Sequence, residues 1–173
     1  MTDSFECSDA SLTEGEITEL VTAIKASSGF TDYTVDELRE YNENNKVIGL
    51  RSSGEICGIA TYEFIDEEWA EITTMIVLPK HQGKGFGKKL WRKVVEKLSS
   101  RNIFAVAFNP ITKNSLALKT GFQKKRFWQL PFVVQIFFVF QRFRLHKIIG
   151  FFSKKHLKLE ELDFFIRRRI QCK

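Results

Sequence analysis

The chain has 173 residues, of which 43% are hydrophobic and 28% charged, so it suits one globular domain and excludes an intrinsically disordered protein. The net charge of +6 is uneven: residues 123–173 hold 13 Lys and Arg against 3 Asp and Glu, a net of +10, which leaves −4 on residues 1–122. Three scattered cysteines without metal-type spacing exclude a disulfide-rich scaffold and, with a polar, acidic N-terminus, predict a cytoplasmic location.

The first half of the chain predicts two helices followed by three strands. A capping box, in which a Ser or Thr is followed three residues later by Glu, starts each helix. Thr13 precedes the first helix and Thr34 the second, and Ser11 offers a competing register for the first. A short strand is predicted near Phe5. The three strand-like runs, rich in β-branched and aromatic residues, are 46–51, 56–65 and 69–78.

The middle of the chain alternates helical and strand-like patterns. A glycine-rich loop over 83–87 leads into a helix over 88–99, in which apolar residues recur every three to four positions. The apolar run 103–108 is typical of a strand buried on both faces. A short helix over 113–120 and a strand over 122–128 follow. This order predicts a mixed α/β layer architecture in one domain.

The last part of the chain is basic and rich in Phe, which indicates an added element. Pro131 fits the first turn of a helix over 132–149, and the acidic start and basic end of 157–170 suit a final helix. The first of these helices packs on the core or on a second subunit, forming a homodimer, or it lies on an anionic membrane surface. Its most apolar part, 130–140, is too short to span a bilayer, and nucleic acid is not expected as a partner.

The glycine-rich loop is the segment most informative about chemistry. A strand ends at Pro79, and the loop that follows opens a helix, so its N–H groups and the positive end of the helix could hold a phosphate. Lys84, Lys88 and Lys89 add positive charge. The spacing fits neither the Walker nor the Rossmann pattern. An ordinary loop before a helix is the alternative interpretation.

Three features of the sequence are similar to those of one family. Gln82-Gly83-Lys84-Gly85-Phe86-Gly87 matches the Gln/Arg-x-x-Gly-x-Gly/Ala loop of the GNAT superfamily, and Val77-x-Pro79 resembles the strand that precedes that loop. The stretch 116–122, which ends in Gly-Phe, resembles the family's second cofactor element. The resemblance covers roughly 12–128. It implies an α/β fold of the α+β mixed kind, with a central, mostly antiparallel sheet flanked by helices.

The same resemblance implies the domain organisation and the activity. Residues 1–128 would form the N-acetyltransferase core, and residues 129–173 a basic, Phe-rich helical extension packed on it. The chain would transfer an acetyl group from acetyl-CoA to a primary amine of a small molecule or peptide, without a metal. The residues implied to bind acetyl-CoA are Met75, Ile76 and Val77 for the pantetheine arm, and Gln82, Gly83, Lys84, Gly85, Phe86, Gly87 and Lys88 for the pyrophosphate.

Glu71 is the candidate general base, because an amine must lose a proton to act as the nucleophile. The Ala-Glu-Ile sequence resembles that of family members which use this glutamate. Strand alternation places Glu71, Thr73 and Met75 on one face. A solvated strand carboxylate is the alternative interpretation of Glu71, and Glu63 is a second choice of base. His81 is interpreted as a surface loop residue rather than a catalytic one.

The general acid departs from the family's pattern. Many members have a Tyr four residues before the last glycine of the second element, where this chain has Ala117. The thiolate then leaves unprotonated, or it takes a proton from water or from another hydroxyl such as that of Ser115, or turnover is weak. Asn109 and Asn114 could each bond the pantetheine, and Asn114 is the one we predict. The missing Tyr also motivates an alternative function, a non-catalytic acyl-CoA-binding or interaction module.

Overall fold

A computed structural model of the chain describes residues 5–9, 11–27, 33–107, 120–142 and 163–169, with 5–9 and 141–142 described at the backbone only. The helices are α1 (Glu14–Ala26), α2 (Val35–Glu43), α3 (Phe86–Lys97) and α4 (Phe132–Arg142). The strands are β1 (Phe5–Asp9), β2 (Val47–Ser52), β3 (Glu55–Phe64), β4 (Trp69–Val77), β5 (Asn102–Ala107), β6 (Gln123–Lys125) and β7 (Asp163–Arg167). Pro79–His81 and Phe127–Gln129 form short 3₁₀ turns.

The strands form a seven-stranded sheet in the order β1-β2-β3-β4-β5-β7-β6. The pairings of β1 with β2, β2 with β3, β5 with β7 and β6 with β7 are all antiparallel. The predicted mixed α/β fold with a mostly antiparallel sheet is therefore confirmed. The chain divides into two compact units, and β4 contributes residues to both.

The first unit comprises Met1–Glu63 and Ile72–Lys97. Its core forms where the apolar stripes of α1 and α2 meet side chains of β2 and β3. The burial of this stripe explains why the 3.6-residue periodicity of α1 was readable in the sequence. The residues of this core are Leu12, Ile17, Leu20, Val21, Ile24, Tyr33, Leu38, Val47, Ile56, Ile59 and Leu78.

Both predicted capping boxes are present in this unit. The hydroxyl of Thr13 accepts from the backbone N–H of Glu16, and the carboxylate of Glu16 accepts from the backbone N–H of Thr13, at 3.3 and 2.9 Å. Thr34 and Glu37 repeat the exchange at 3.1 and 3.0 Å. The competing register at Ser11 is not used, because α1 begins at Glu14. Each box satisfies backbone donors that the helix itself leaves open.

The second unit comprises Phe64–Glu71 and Leu98–Lys173. An aromatic cluster links its elements: Phe138 of α4 makes edge contacts with Phe104 of β5 and Phe164 of β7, at centroid distances of 6.1 and 5.3 Å. Phe104 and Phe164 stack on each other at 6.3 Å. Helix α4 thus packs on the sheet through Phe138, as one of the two interpretations of that helix expected.

The final helix predicted over 157–170 is wrong where the structure describes it. Residues 163–167 form β7, which pairs with β5 on one side and β6 on the other. Phe164, Phe165 and Ile166 are all buried, because a strand inside a sheet is covered on both faces. The division of the chain at residue 128 stays a prediction, although its second part contributes this strand.

Smaller differences concern element ends. Helix α3 begins at Phe86, two residues earlier than predicted, so the last part of the glycine loop is already helical. The strand predicted over 122–128 is reduced to β6, and a 3₁₀ turn follows it. The helix predicted over 113–120 lies almost wholly outside the described residues, and so does the part of the predicted 132–149 helix beyond residue 142.

Candidate active site

The glycine-rich loop joins β4 to α3 and has the backbone conformation that glycine permits. Gly83 and Gly85 both have φ of +78°, in the left-handed region where a Cβ is disfavoured. The side-chain amide of Gln82 donates to the carbonyl of Val77 at 3.1 Å, which ties the loop to the end of β4. A Cβ added at Gly83 or Gly85 would meet nothing within 4 Å. The loop therefore leaves open space beside its backbone.

Several N–H groups of this loop are available to a ligand. The carbonyl of Gly85 accepts from Lys88 and Lys89, at 3.1 and 3.3 Å, which closes the first turn of α3. Within the part of the chain that the structure describes, the N–H groups of Gly83, Lys84, Gly85 and Gly87 donate to no protein acceptor. Successive amides that point outward at a helix N-terminus form an anion-binding site.

The charges around this helix start add to the site. No acidic residue stands in the first turn of α3, although acidic residues occupy the first turns of both α1 and α2. Lys84 and Lys88 are instead exposed at this end of α3. Cations at a helix N-terminus oppose the helix dipole, and a bound group of negative charge would offset that cost. A phosphate group carries such a charge.

The end of β4 approaches β3 closely at one position. A Cβ added at Gly58 would lie 2.9 Å from the Cα of Val77 and closer still to the carbonyl oxygen of Ile76. The N–H of Leu78 donates to the carbonyl of Cys57 at 2.9 Å. Gly58 therefore permits a backbone approach that no other residue type would allow. The sequence analysis missed this glycine, because a lone Gly in a strand indicates a close approach without naming its partner.

The structure places Glu71 in β4 with 1% of its surface exposed. The interpretation of Glu71 as a solvated surface carboxylate is therefore wrong. Burying a carboxylate costs free energy, so fully buried Glu residues are rare unless other groups compensate them. Met75, Ile76 and Val77, further along the same strand, are half-buried.

Glu63, the second choice of base, is engaged elsewhere. Its carboxylate forms an ion pair with Lys46, and the two side chains are both mostly buried. This pair sits at the end of β3 in the first unit. It gives Glu63 a structural role.

His81 and Lys80 form a separate cluster on Glu55. Lys80 donates to the Glu55 carboxylate at 2.5 Å and lies 3.1 Å from Glu19, and His81 Nε2 is 3.7 Å from Glu55. The hydrogen bond from Lys80 is the main reason why the pKa of Glu55 is lowered. His81 also lies against the ring of Phe86 and is largely buried, so the interpretation as a surface residue is wrong. Its Nε2 atom is buried and has no hydrogen-bond partner within the described ranges.

A cluster of three hydroxyls in the first unit was not predicted. The hydroxyl of Tyr33 lies 3.1 Å from that of Thr61 and 3.0 Å from that of Thr73, and the two Thr hydroxyls are 2.8 Å apart. Burial raises the pKa of Tyr33, and the hydrogen bonds partly offset this. Nothing in the local sequence pattern connects these three residues, which are far apart in the chain.

Several candidates lie outside the described residues, namely Asn109, Asn114, Ser115 and Ala117. Their predicted roles stay predictions. Across the described ranges, no group of three or more His, Cys, Asp or Glu side chains is arranged to hold a metal ion.

Comparison with known proteins gives one family and a set of similar folds. The family model described as "Acetyltransferase (GNAT) family" matches residues 16–122. N-acetylglutamate synthase from Neisseria gonorrhoeae, solved with coenzyme A and N-acetyl-glutamate, is similar with a TM-score of 0.71 at 17% identity. That alignment covers 99% of this chain and 36% of the other, so this chain spans about a third of the synthase.

Two further structures are similar over nearly their whole length. A Mycobacterium tuberculosis protein solved in complex with CoA has a TM-score of 0.68 at 14% identity, with 95% of this chain and 99% of that chain covered. The ribosomal-protein-S18-alanine N-acetyltransferase from Escherichia coli has a TM-score of 0.63 at 10% identity, with 98% and 97% covered. At these identities the likeness concerns the fold. No curated protein sequence matches the chain.

Proposed function

The chain belongs to the GNAT acetyltransferase family, and we propose that it is an N-acetyltransferase that moves the acetyl group of acetyl-CoA to a primary amine. Membership of the family confirms the resemblance carried by the glycine loop. The observation that carries the proposal is the set of N–H groups on Gly83, Lys84, Gly85 and Gly87 that donate to no acceptor in the described part of the chain. These donors fit a pyrophosphate, because a doubly charged group can accept several amide hydrogen bonds at once.

In this proposal the loop and the end of β4 bind the donor substrate. Lys84 and Lys88 add charge to the amides that hold the pyrophosphate, and Gln82 fixes the loop on Val77. Met75–Val77 offer backbone groups to the pantetheine arm, which runs beside the strand. The open space around Gly83 and Gly85 supports this assignment, since a phosphate must approach the backbone itself.

Glu71 acts as the general base in the proposed reaction. The nitrogen of the neutral amine attacks the thioester carbonyl, a C–N bond forms, the C–S bond breaks, and CoA leaves as the thiolate. The proton lost by the nitrogen passes to the carboxylate of Glu71, directly or through water. The burial of Glu71 supports this role, because a low-dielectric setting makes a carboxylate a better proton acceptor.

The acceptor is proposed only as a class. The solved neighbours are named for different acceptors: one structure holds N-acetyl-glutamate, and another enzyme acts on the alanine of a ribosomal protein. A free amino acid and a protein N-terminus both present a primary amine. A panel of amino acids, peptides and polyamines therefore covers the acceptor class.

A pair of glycine substitutions tests the phosphate site. Gly85→Ala and Gly54→Ala both place a Cβ at a residue with φ near +80° and open space around it, so each should destabilise the fold by about 1–2 kcal/mol. Gly54 lies in the β2–β3 turn, outside the loop. Titration calorimetry should show that Gly85→Ala weakens acetyl-CoA binding by about tenfold or more. Gly54→Ala should bind it as the wild type does.

The outcomes separate the hypotheses. Equal affinity of the two variants for acetyl-CoA would mean that the loop does not hold the pyrophosphate. Loss of binding in Gly85→Ala, together with no thiol release above background on any amine, would instead favour the non-catalytic binding module. Thiol release that depends on one amine, and that falls in Gly85→Ala, supports the enzyme.

A further inference from the structure

One face of α4 is apolar and exposed. Trp128 in the preceding turn, and Phe132 and Phe140 on the helix, are 81%, 75% and 72% exposed, which is unusual for large aromatic side chains. Val133, Ile136 and Val139 are also exposed. At 3.6 residues per turn, the five helical members of this set span an arc of about 120°. We call these five residues and Trp128 the α4 patch.

This arc is the side of the helix that a globular protein normally makes polar. Val134 and Phe138, which are buried, lie on the opposite side of the helix, about 180° from the centre of the arc. The only polar residue from 132 to 140 is Gln135, whose side chain donates to the carbonyl of Leu130 at 2.8 Å. A helix that is apolar on both sides has two surfaces to bury. The sheet covers only one of them.

We propose that the α4 patch docks the protein on an anionic lipid surface. Exposed Trp and Phe side chains beside cations are typical of helices that lie in a membrane interface. Lys125 and Arg126 lie three and two residues before Trp128, Lys124 beside them is paired with Asp163, and residues 123–173 carry a net charge of +10. Anionic headgroups attract such a segment, and the apolar patch gains from contact with the acyl region.

The same charge argues against a second copy of the chain as the occupant. A symmetric dimer formed through this patch would bring together the cations that precede Trp128 in the two copies, Lys125 and Arg126 among them. Like charges at an interface oppose association. The charge therefore complements a negatively charged lipid surface better than it complements the patch itself.

A helix that lies in the interface plane does not need the length of a spanning helix. In the described ranges of the chain, no helix is long and apolar enough to cross a bilayer. An interfacial position exposes the apolar arc to lipid and leaves the packed side of α4 on the protein.

Vesicle binding of the full chain tests the proposal. Vesicles of about 70% phosphatidylcholine and 30% phosphatidylserine should sediment the protein at low salt, and about 0.5 M NaCl should weaken binding tenfold or more. Brominated lipids should quench Trp128, whereas Trp69 and Trp91 are buried and report the background. The Phe132→Gln/Phe140→Gln double variant should bind at least about tenfold more weakly. Phe64→Gln, which alters an exposed Phe outside the patch, should bind as the wild type does.

Acetyl-CoA affinity of each variant serves as the check of folding and is expected to stay unchanged. If the protein remains in the supernatant with anionic vesicles at low salt, the proposal is overturned. Light scattering then tells whether a dimer covers the patch or residues of the same chain do. Vesicle binding that survives in the double Phe variant also overturns it, because the attraction would then be electrostatic alone. Equal binding to pure phosphatidylcholine would overturn the role given to the charge.

Discussion

Replacing Gly58 by Ala tests how closely β3 and β4 approach at the start of the candidate site. The new Cβ would lie 2.9 Å from the Cα of Val77, whereas ordinary van der Waals contact begins at 3.4 Å. The backbone would therefore have to move by at least about 0.5 Å at this atom, and further at the carbonyl of Ile76. Leu90 Cδ1, at 3.2 Å, is a side-chain atom and can yield more easily.

The expected cost follows from these contacts. Overpacking a well-packed site costs about 1–3 kcal/mol, and the upper part of that range applies because the two nearest atoms belong to the backbone. The reduced flexibility of the unfolded chain returns about 0.4–1 kcal/mol, since Gly58 does not have a left-handed φ and its backbone suits Ala. We expect Gly58→Ala to lower the free energy of unfolding by about 2 kcal/mol.

Urea denaturation measures this change, and Gly15→Ala is the matched control. Gly15 lies in the first turn of α1, with nothing within 4 Å of an added Cβ, so Ala should stabilise the helix by about 0.5–1 kcal/mol. The same chemical change thus has opposite signs at the two sites. Acetyl-CoA affinity should fall only in Gly58→Ala, because the displaced atoms belong to the strand assigned to the pantetheine.

A free energy of unfolding for Gly58→Ala within about 0.5 kcal/mol of the wild type would refute this reasoning. It would mean that the backbone at the end of β4 can move to accommodate the new Cβ without loss of packing. A stability loss without any change in acetyl-CoA affinity would keep the steric argument. It would, however, contradict the assignment of Met75–Val77 to the donor substrate.

Two further predictions concern carboxylates. Glu71→Gln should lower kcat by about 10²–10⁴ and leave acetyl-CoA affinity unchanged. The kcat of Glu63→Gln should stay within about threefold of the wild type. If steady-state assays show equal losses of kcat for the two variants, the choice of base is contradicted. Glu16→Gln should cost about 1–2 kcal/mol of stability at pH 7, because hydrogen bonds from Arg51 lower the pKa of Glu16 below 4.5. Because folding lowers the pKa of Glu16, its carboxylate contributes stability above about pH 4.5, and this contribution is lost as the pH falls through the pKa of Glu16 in the folded protein. Urea titrations from pH 7 downward should therefore show the two proteins converging, and a constant gap would refute the linkage.

Features set by neighbouring residues were predictable from the sequence. The capping boxes at Thr13 and Thr34 need only residues three apart, and both are present. Ser52-Ser53-Gly54 separates the first two strand-like runs with residues typical of a hairpin turn, and Ser53 and Gly54 have φ of +52° and +82°. The glycine loop was recognised from its spacing for the same reason. Such signals do not depend on what packs against them.

The strand β7 was not predictable in this way. Its sequence is flanked by Leu, Lys, Glu and Arg, which favour helix, and the acidic start and basic end suited a helix dipole. Three consecutive apolar residues, Phe164–Ile166, carry no period that separates a helix from a buried strand. The outcome was decided by pairing with β5 and β6, which lie far away in the chain.

The burial of Glu71 lay beyond the sequence for a related reason. Alternation along β4 groups Glu71, Thr73 and Met75 on one face, but it does not say whether that face meets protein or water. At Thr73, one of these three positions, it is Tyr33 that meets the face: its hydroxyl lies 3.0 Å from that of Thr73. Tyr33 is far from β4 in the sequence, so local alternation does not reveal this contact. Neither the hydroxyl cluster nor the buried carboxylate has a local signature.

Helices α1, α2 and α3 begin in different ways. Helices α1 and α2 begin with a capping box and acidic first turns, as helix physics favours. Helix α3 has neither and begins instead beside Lys84 and Lys88, with two glycines at positive φ ahead of it. Helix α4 also has no acidic residue in its first turn, so the two glycines at positive φ set the start of α3 apart. A bound anion would supply the acceptor and the negative charge that this helix start lacks, which is the physical basis of the proposed phosphate site.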